Sequence, residues 1–152
     1  MDPATNAHAL TDDVGFLLSR ASAVFVRATN AVLASYGLRA RPYSLLLMAC
    51  SAPAGVSQRD LAETLALDPS QVVSLVDELA ASALVERRPS ETDRRAKLVV
   101  ATEAGRALCA EVVPVVEGAA AAQLADLSAT EQLILRELLT RLMARGPGAS
   151  PQ

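Results

Sequence analysis

The chain has one histidine, no tryptophan, two tyrosines, two phenylalanines and two cysteines among 152 residues, and each shortage closes off a class of function. His8 stands in the opening stretch "MDPATNAHALTDD", and no cluster of Cys, His and acidic residues has metal-ligand spacing, so neither a resident metal nor metal sensing is expected. With that lone histidine so placed, no serine or cysteine has a positioned base, and neither an enzyme nor a cofactor is expected. "TEAGRA" lacks the repeated glycines of a phosphate cradle. Aromatics at 3% and apolar residues at 51% favour helices packed on Leu, Val and Ala over a β-sandwich.

Long apolar runs are missing too. The longest in the first half, Leu45 to Cys50, is far too short to cross a bilayer. The acidic start lacks a basic segment followed by an apolar one, so the expectation is a soluble, cytoplasmic protein with a frayed leader over residues 1–10 and no membrane partner. Cys50 and Cys109 lie far apart and form no CxxC pair, which fits reduced thiols. Nor is positive charge in surplus: the net charge is -3, against the strongly basic balance usual for nucleic-acid-binding domains. The distribution softens that objection. Arg39 to Lys97 holds eight basic and eight acidic residues while the flanks hold six and nine, so the surplus of acid lies outside the middle.

What is there reads as one domain over residues 11–145, with a tail at 146–152. Val14, Leu17, Leu18, Ala21, Val24, Phe25, Ala28, Val32 and Tyr36 recur three and four apart. That spacing predicts a long amphipathic helix, opened by Thr11 as cap with Asp12 and Asp13 behind it and closed by a left-handed Gly37. Pro42 suits the first turn of a short buried helix that stops before Pro53 and Gly55. Ser57, with Asp60 three residues on, caps a third helix through "SQRDLAETLAL". Asp68 and Pro69 start a fourth, which buries Val72, Val76, Leu79 and Ala80 or Ala83. Two short capped helices with almost nothing between them make a helix-turn-helix, and Ser70, Gln71 and Ser74 leave the start of the second small and polar enough to approach base edges in a major groove.

Next comes "ERRPSETDRRAKLVV", in which "LVERR" and "AKLVV" pair as a two-stranded ribbon around "PSETD". The expected fold is therefore mainly α with a small β-hairpin wing: a winged helix-turn-helix flanked by N- and C-terminal helices. Arg94 and Arg95 at the wing tip are candidates for the adjacent minor groove, whose narrow stretches attract guanidinium groups. Arg87, Arg88 and Lys97 at its base, together with Arg41, Ser57 and Gln58, are candidates for phosphates. Asp93 is expected to turn back on a nearby arginine and hold the wing's shape. The competing account is a hairpin whose charges are merely solvated.

From Pro42 to Gly105 the chain resembles the MarR family of winged-helix regulators, on "LDPSQVVSLVDELAASALVERR" and "DRRAKLVVATEAGR". Asp93, Arg95, Thr102 and Gly105 match the family's wing pattern, and Ala101 stands where the family usually has leucine. The resemblance implies a DNA-binding lobe at about residues 38–101, dimerisation helices at 11–37 and 102–145, and a small aromatic or phenolic anion as effector in a cleft between the first, second and fifth helices. Arg20, Tyr36, Tyr43 and Met48 are then candidates to line that cleft, against the plainer account that the tyrosines are half-buried core. A peroxide-sensing branch of the family carries its reactive cysteine near the start of the first long helix, where this sequence has none.

Thr102 with Glu103 caps a long helix interrupted by Pro114, which is expected to kink it, and Gly118 with Ala119 to Ala122 leaves a smooth surface. Ser128 and Glu131 form a capping box for the last helix, whose Leu135, Leu138, Leu139, Leu142 and Met143 make a stripe that a monomer has no room to bury in full. A two-fold homodimer would bury it and set two recognition helices one duplex turn apart over a pseudo-palindromic operator, against the plainer account that the stripe completes the core of a monomer. For both cysteines, packing as small hydrophobes is favoured over redox sensing. The expected function is a homodimeric repressor of double-stranded DNA released by a small molecule. A thiol switch on Cys50 or Cys109, or a winged-helix module that binds protein without DNA, are the alternatives.

Overall fold

The structure, a computed structural model, describes residues 10–93 and 96–144. Helix α1 (Val14–Leu33) opens on Asp13, whose Oδ1 accepts hydrogen bonds from the N–H groups of Gly15 at 2.8 Å and Phe16 at 3.3 Å. The cap is thus Asp13 and not Thr11, because Asp13 is the residue with extended backbone and a carboxylate in reach of two orphan amides. A 3₁₀ turn (Ala34–Tyr36) follows, and Gly37 closes it at φ 68, the left-handed position expected of it. Val14 to Tyr36 is long and apolar enough to cross a membrane by length and composition. Its polar residues, Arg20 and Arg27 among them, break the apolar run and are costly at a bilayer centre, and the helix instead lies along α5 (Glu103–Gln123).

Helix α2 (Ala40–Ser51) is capped from outside: Asn30 Oδ1, on α1, accepts from the N–H of Ala40 at 2.7 Å. It buries Pro42, Tyr43, Leu45, Leu46 and Ala49. After it comes an element that the sequence reading lacks, strand β1 (Val56–Ser57). Its entry is a left-handed Gly55 at φ 93, where a Cβ would stand 2.8 Å from the Cβ of Leu98. Helix α3 (Gln58–Leu65) is capped by Ser57, whose Oγ accepts from the N–H of Asp60 at 3.0 Å. Helix α4 (Pro69–Ala81) starts on Asp68 and buries Val72, Val76 and Leu79. Ala80 is half-buried, whereas Ala83 lies beyond the helix, exposed and left-handed at φ 56.

Strands β2 (Val85–Pro89) and β3 (Lys97–Ala101) pair antiparallel from Val85 opposite Ala101 to Pro89 opposite Lys97. β1 adds to the other edge of β3, Val56 opposite Val99, so the sheet has three strands in the order β1-β3-β2. Thr102 caps α5 by accepting from the N–H of Gly105 at 3.0 Å and donates its own hydroxyl to the carbonyl of Ala83 at 2.7 Å. α5 runs without a break through Pro114. Helix α6 (Ala129–Met143) begins in the predicted capping box, Glu131 N–H to Ser128 Oγ at 3.3 Å and Ser128 N–H to Glu131 Oε2 at 2.8 Å.

The core fills the space between α2, α4, the sheet and the first half of α5: Leu45, Leu46, Leu61, Val72, Val76, Val99 and Val112 have no exposed surface at all. The helix-turn-helix and wing therefore close on one interior, which Leu33 of α1 and the first half of α5 complete. The outer helices do not. α1 buries only Leu33 in full, and α6 buries nothing.

Candidate nucleic-acid interface

On α4, burial of Val72, Val76 and Leu79 turns the opposite face outward. Ser70, Gln71, Val73, Ser74 and Asp77 are exposed there, and Ser70, Val73, Ser74 and Asp77 follow the i, i+3, i+4, i+7 spacing of one helix side. The three residues expected to meet base edges are thus brought together at one helix start. Val73 was missed; its place beside Ser74 on the polar face is the signal that could have found it, and an exposed valine can contact a thymine methyl. Gln71 has a second engagement: its Oε1 accepts from the N–H of Asp68 at 3.1 Å, completing the cap of its own helix.

The basic candidates divide. Arg87, expected at a phosphate, reaches inward: its Nη2 is 2.7 Å from Asp77 Oδ1 and its Nε donates to Gln58 Oε1 at 3.2 Å, with the side chain 28% exposed. One guanidinium thus ties β2 to the recognition helix and to the first residue of α3, and Gln58, another phosphate candidate, is held in the same contact. Arg88 is on the alternate face of β2 and pairs with Glu86 two residues earlier. Lys97 and Arg41 are exposed. Ser57 is half-buried, its hydroxyl shared with Asp60 through a contact of 2.7 Å to Oδ2. Arg94 and Arg95 lie outside the described residues. Asp93 is described: its N–H donates to Ser90 Oγ at 3.3 Å, and its carbonyl accepts from the N–H of Ala96 at 2.9 Å.

Acidic residues on this side are compensated by these arrangements. Asp77 is paired with Arg87, Glu86 with Arg88, and Glu78 with Arg39, whose Nη2 lies 3.0 and 2.9 Å from the two carboxylate oxygens. These three carboxylates beside α4 are partnered by arginine, which weakens the negative field on that side of the chain.

Beside α4 opens a cavity of about 550 Å³. Its walls are Val26 and Asn30 of α1, Arg39 to Pro42 at the start of α2, and Gln71, Ser74, Leu75 and Glu78 of α4. None of the four residues expected to line an effector cleft takes part. Arg20 is exposed on α1, Tyr36 and Met48 are half-buried against the core, and Tyr43 is only 7% exposed. Burial, followed by the proximity of Cys109 and Glu117, pushes the Tyr43 hydroxyl above its ordinary pKa.

A helix-turn-helix followed by a two-stranded hairpin, with a short strand before it completing the sheet and an exposed polar face on the second helix, defines the class of winged-helix DNA-binding proteins. Residues 36–96 match the family model described as the MarR family. An HTH-type transcriptional repressor of Mycobacterium tuberculosis is 31% identical over 135 residues, which is 88% of this chain and 96% of that protein. Among solved structures, CouR from Rhodococcus jostii, bound to p-coumaroyl-CoA, is 42% identical with a TM-score of 0.82, covering 88% of this chain and 94% of that one. A MarR family protein of M. tuberculosis in complex with salicylic acid is 30% identical with a TM-score of 0.70, over 86% and 96%. The chain belongs to the MarR family, whose members are transcription regulators and not enzymes.

Proposed function

We propose that the protein is a homodimeric, cytoplasmic repressor that lays two α4 helices in successive major grooves of a pseudo-palindromic operator and is released by a small aromatic acid. The observation that carries this reading is the outward face of α4, Ser70, Gln71, Val73 and Ser74, standing on a lobe whose own core is closed. Lys97 and Arg41 are exposed at its flanks and suit phosphates, while Arg87 orients α4 through Asp77. Arg94 and Arg95 remain the sequence's candidates for the minor groove, with Asp93 as support. Dimerisation is supported by the apolar surface of the outer helices: Leu133, Leu138, Leu142 and Met143 are between 52% and 76% exposed.

The cavity beside α4 is the effector site that geometry favours. Arg39 in its wall is engaged by Glu78, which leaves Arg41 as the cation to meet a carboxylate. Its other lining residues include Gln71 and Ser74, so an effector seated there uses side chains that the operator also needs. Effector and operator then exclude one another, which satisfies the requirement that a releasing ligand prefer the DNA-free state. The relatives crystallised with p-coumaroyl-CoA and salicylic acid support an aromatic acid or its thioester as the ligand class.

The test is a gel-shift titration of the full chain on its own upstream DNA at fixed salt, repeated with a panel of aromatic acids and acyl thioesters. Binding that Arg95→Ala weakens strongly, and that one of these compounds reverses, is the expected result. Failure to bind any duplex in dilute buffer would overturn the reading in favour of a winged helix that docks on protein.

A further inference from the structure

Cys50 is the last residue but one of α2 and Cys109 lies in the second turn of α5, and their sulfurs are 3.1 Å apart although the two are 59 positions apart in sequence. Both are free thiols. The two helices cross closely: a Cβ on Gly105, one turn before Cys109, would stand 3.2 Å from Cδ1 of Leu46 on α2. Cys50 Sγ also lies 3.7 Å from the carbonyl oxygen of Gly105. The Cys50 thiol is placed to donate to either of two acceptors, the carbonyl oxygen of Gly105 or the sulfur of Cys109. Burial first, and then the neighbouring Cys50, push the Cys109 thiol up to about 12. Cys50 is half-buried while Cys109 is 5% exposed, so the pair shows solvent one thiol and keeps the other behind it.

We propose that Cys50 and Cys109 form a reversible oxidation site, at which a peroxide closes an intramolecular disulfide between α2 and α5. The thiolate of Cys50 attacks one peroxide oxygen, the O–O bond breaks, and the leaving oxygen departs as water or an alcohol. Cys50 is left as a sulfenic acid. Cys109 sulfur attacks that of Cys50, the S–O bond breaks, and the hydroxide leaves as water with the Cys109 proton. One peroxide is reduced by two electrons and two thiols are oxidised by the same two. Closing the bond shortens the sulfur separation from 3.1 Å to about 2.05 Å.

α2 belongs to the lobe that presents α4, and α5 leads to the exposed helix α6. A covalent tie at their crossing therefore restricts how the lobe sits on the outer helices, and operator affinity is expected to change by about tenfold or more, about 1.4 kcal/mol. That second consequence rests on the DNA-binding reading above; formation of the bond does not.

The experiment treats the reduced full chain with a small excess of hydrogen peroxide, blocks remaining thiols with N-ethylmaleimide, and measures intact mass, unreduced peptide mass and operator affinity. The expected result is a Cys50–Cys109 peptide link within one chain, reversed by dithiothreitol, with a shifted affinity that Cys50→Ser abolishes. In Cys109→Ser oxidation should halt at a Cys50 sulfenic acid trapped by dimedone; should that variant not fold, the unsubstituted chain's peptide masses decide the matter alone. Two maleimide-blocked thiols after peroxide, a sulfinic acid on Cys50 with Cys109 unlinked, or a link between chains would each overturn the site. A bond that forms while the affinity of a DNA-competent protein stays constant overturns its regulatory consequence. If the reduced chain binds no duplex, it is the DNA reading that fails, and the masses still decide the bond.

Discussion

The lobe from α2 to β3 and the helices α1 and α6 are built from similar residues and meet different fates. In the lobe, Leu45, Leu46, Leu61, Val72 and Val76 are wholly buried, whereas in the outer helices Val14 is 67% exposed and Leu142 56%. Leucine at helical spacing is thus no guide by itself to what a helix packs on. The lobe closes because α2, α4, the sheet and the first half of α5 surround one interior; the outer helices carry apolar faces that the described residues leave exposed, the surface that the proposed dimer would bury.

The largest effect expected on either side of that contrast is in the lobe. Leu46→Ala, at a site with no exposure, should cost about 2–5 kcal/mol of stability, read by urea denaturation; a loss below that range would mean the interior is looser than described. In the outer helices, Leu138→Glu with Leu142→Glu should leave the lobe folded yet give a monomer by sedimentation. Operator affinity should fall about a hundredfold or more as half-site coupling is lost. A variant that stays dimeric would place the interface elsewhere and erase the contrast.

Smaller effects sharpen the account within the lobe. Arg87→Ala should lower stability by about 0.5–1 kcal/mol, the range for a partly exposed pair, and Asp77→Asn should reproduce most of it. If instead only Arg87→Ala weakens operator binding and flattens its salt dependence, the guanidinium serves a phosphate and not α4. Lys97→Ala should weaken binding to all duplexes alike and reduce the salt slope by about 1. The smallest effect belongs to the cap of α6. The hydroxyl of Ser128, and then its N–H, hold the Glu131 carboxyl below its ordinary 4.5. Its contribution is present in full above that value and lost as pH falls through the lowered one, so Ser128→Ala should flatten the acid limb of a helicity titration by circular dichroism.

Caps were the most legible part of this chain. Ser57, Asp68, Thr102 and Ser128 each precede their helix as the sequence predicts, because a cap is made within three residues. The N-terminal cap slipped from Thr11 to Asp13 where three polar residues in a row each offered an acceptor. β1 was not legible, since two residues show no period and its existence depends on the free edge of β3. Among site residues, the polar face of α4 followed from local pattern alone. The inward commitment of Arg87 and the wall shared by Arg41, Gln71 and Ser74 did not, because each joins elements distant in sequence.

By itself the sequence determined the order of the helices, the starts that Ser57, Asp68, Thr102 and Ser128 cap, and the wing that follows the helix-turn-helix, since hydrogen bonds and apolar spacing within a few residues decide these. Tertiary structure alone decided which charges neutralise one another beside α4, where a void remains, and that Cys50 meets Cys109. Those outcomes depend on the angle and distance at which helices cross, which the packing of the whole interior sets and no local stretch encodes.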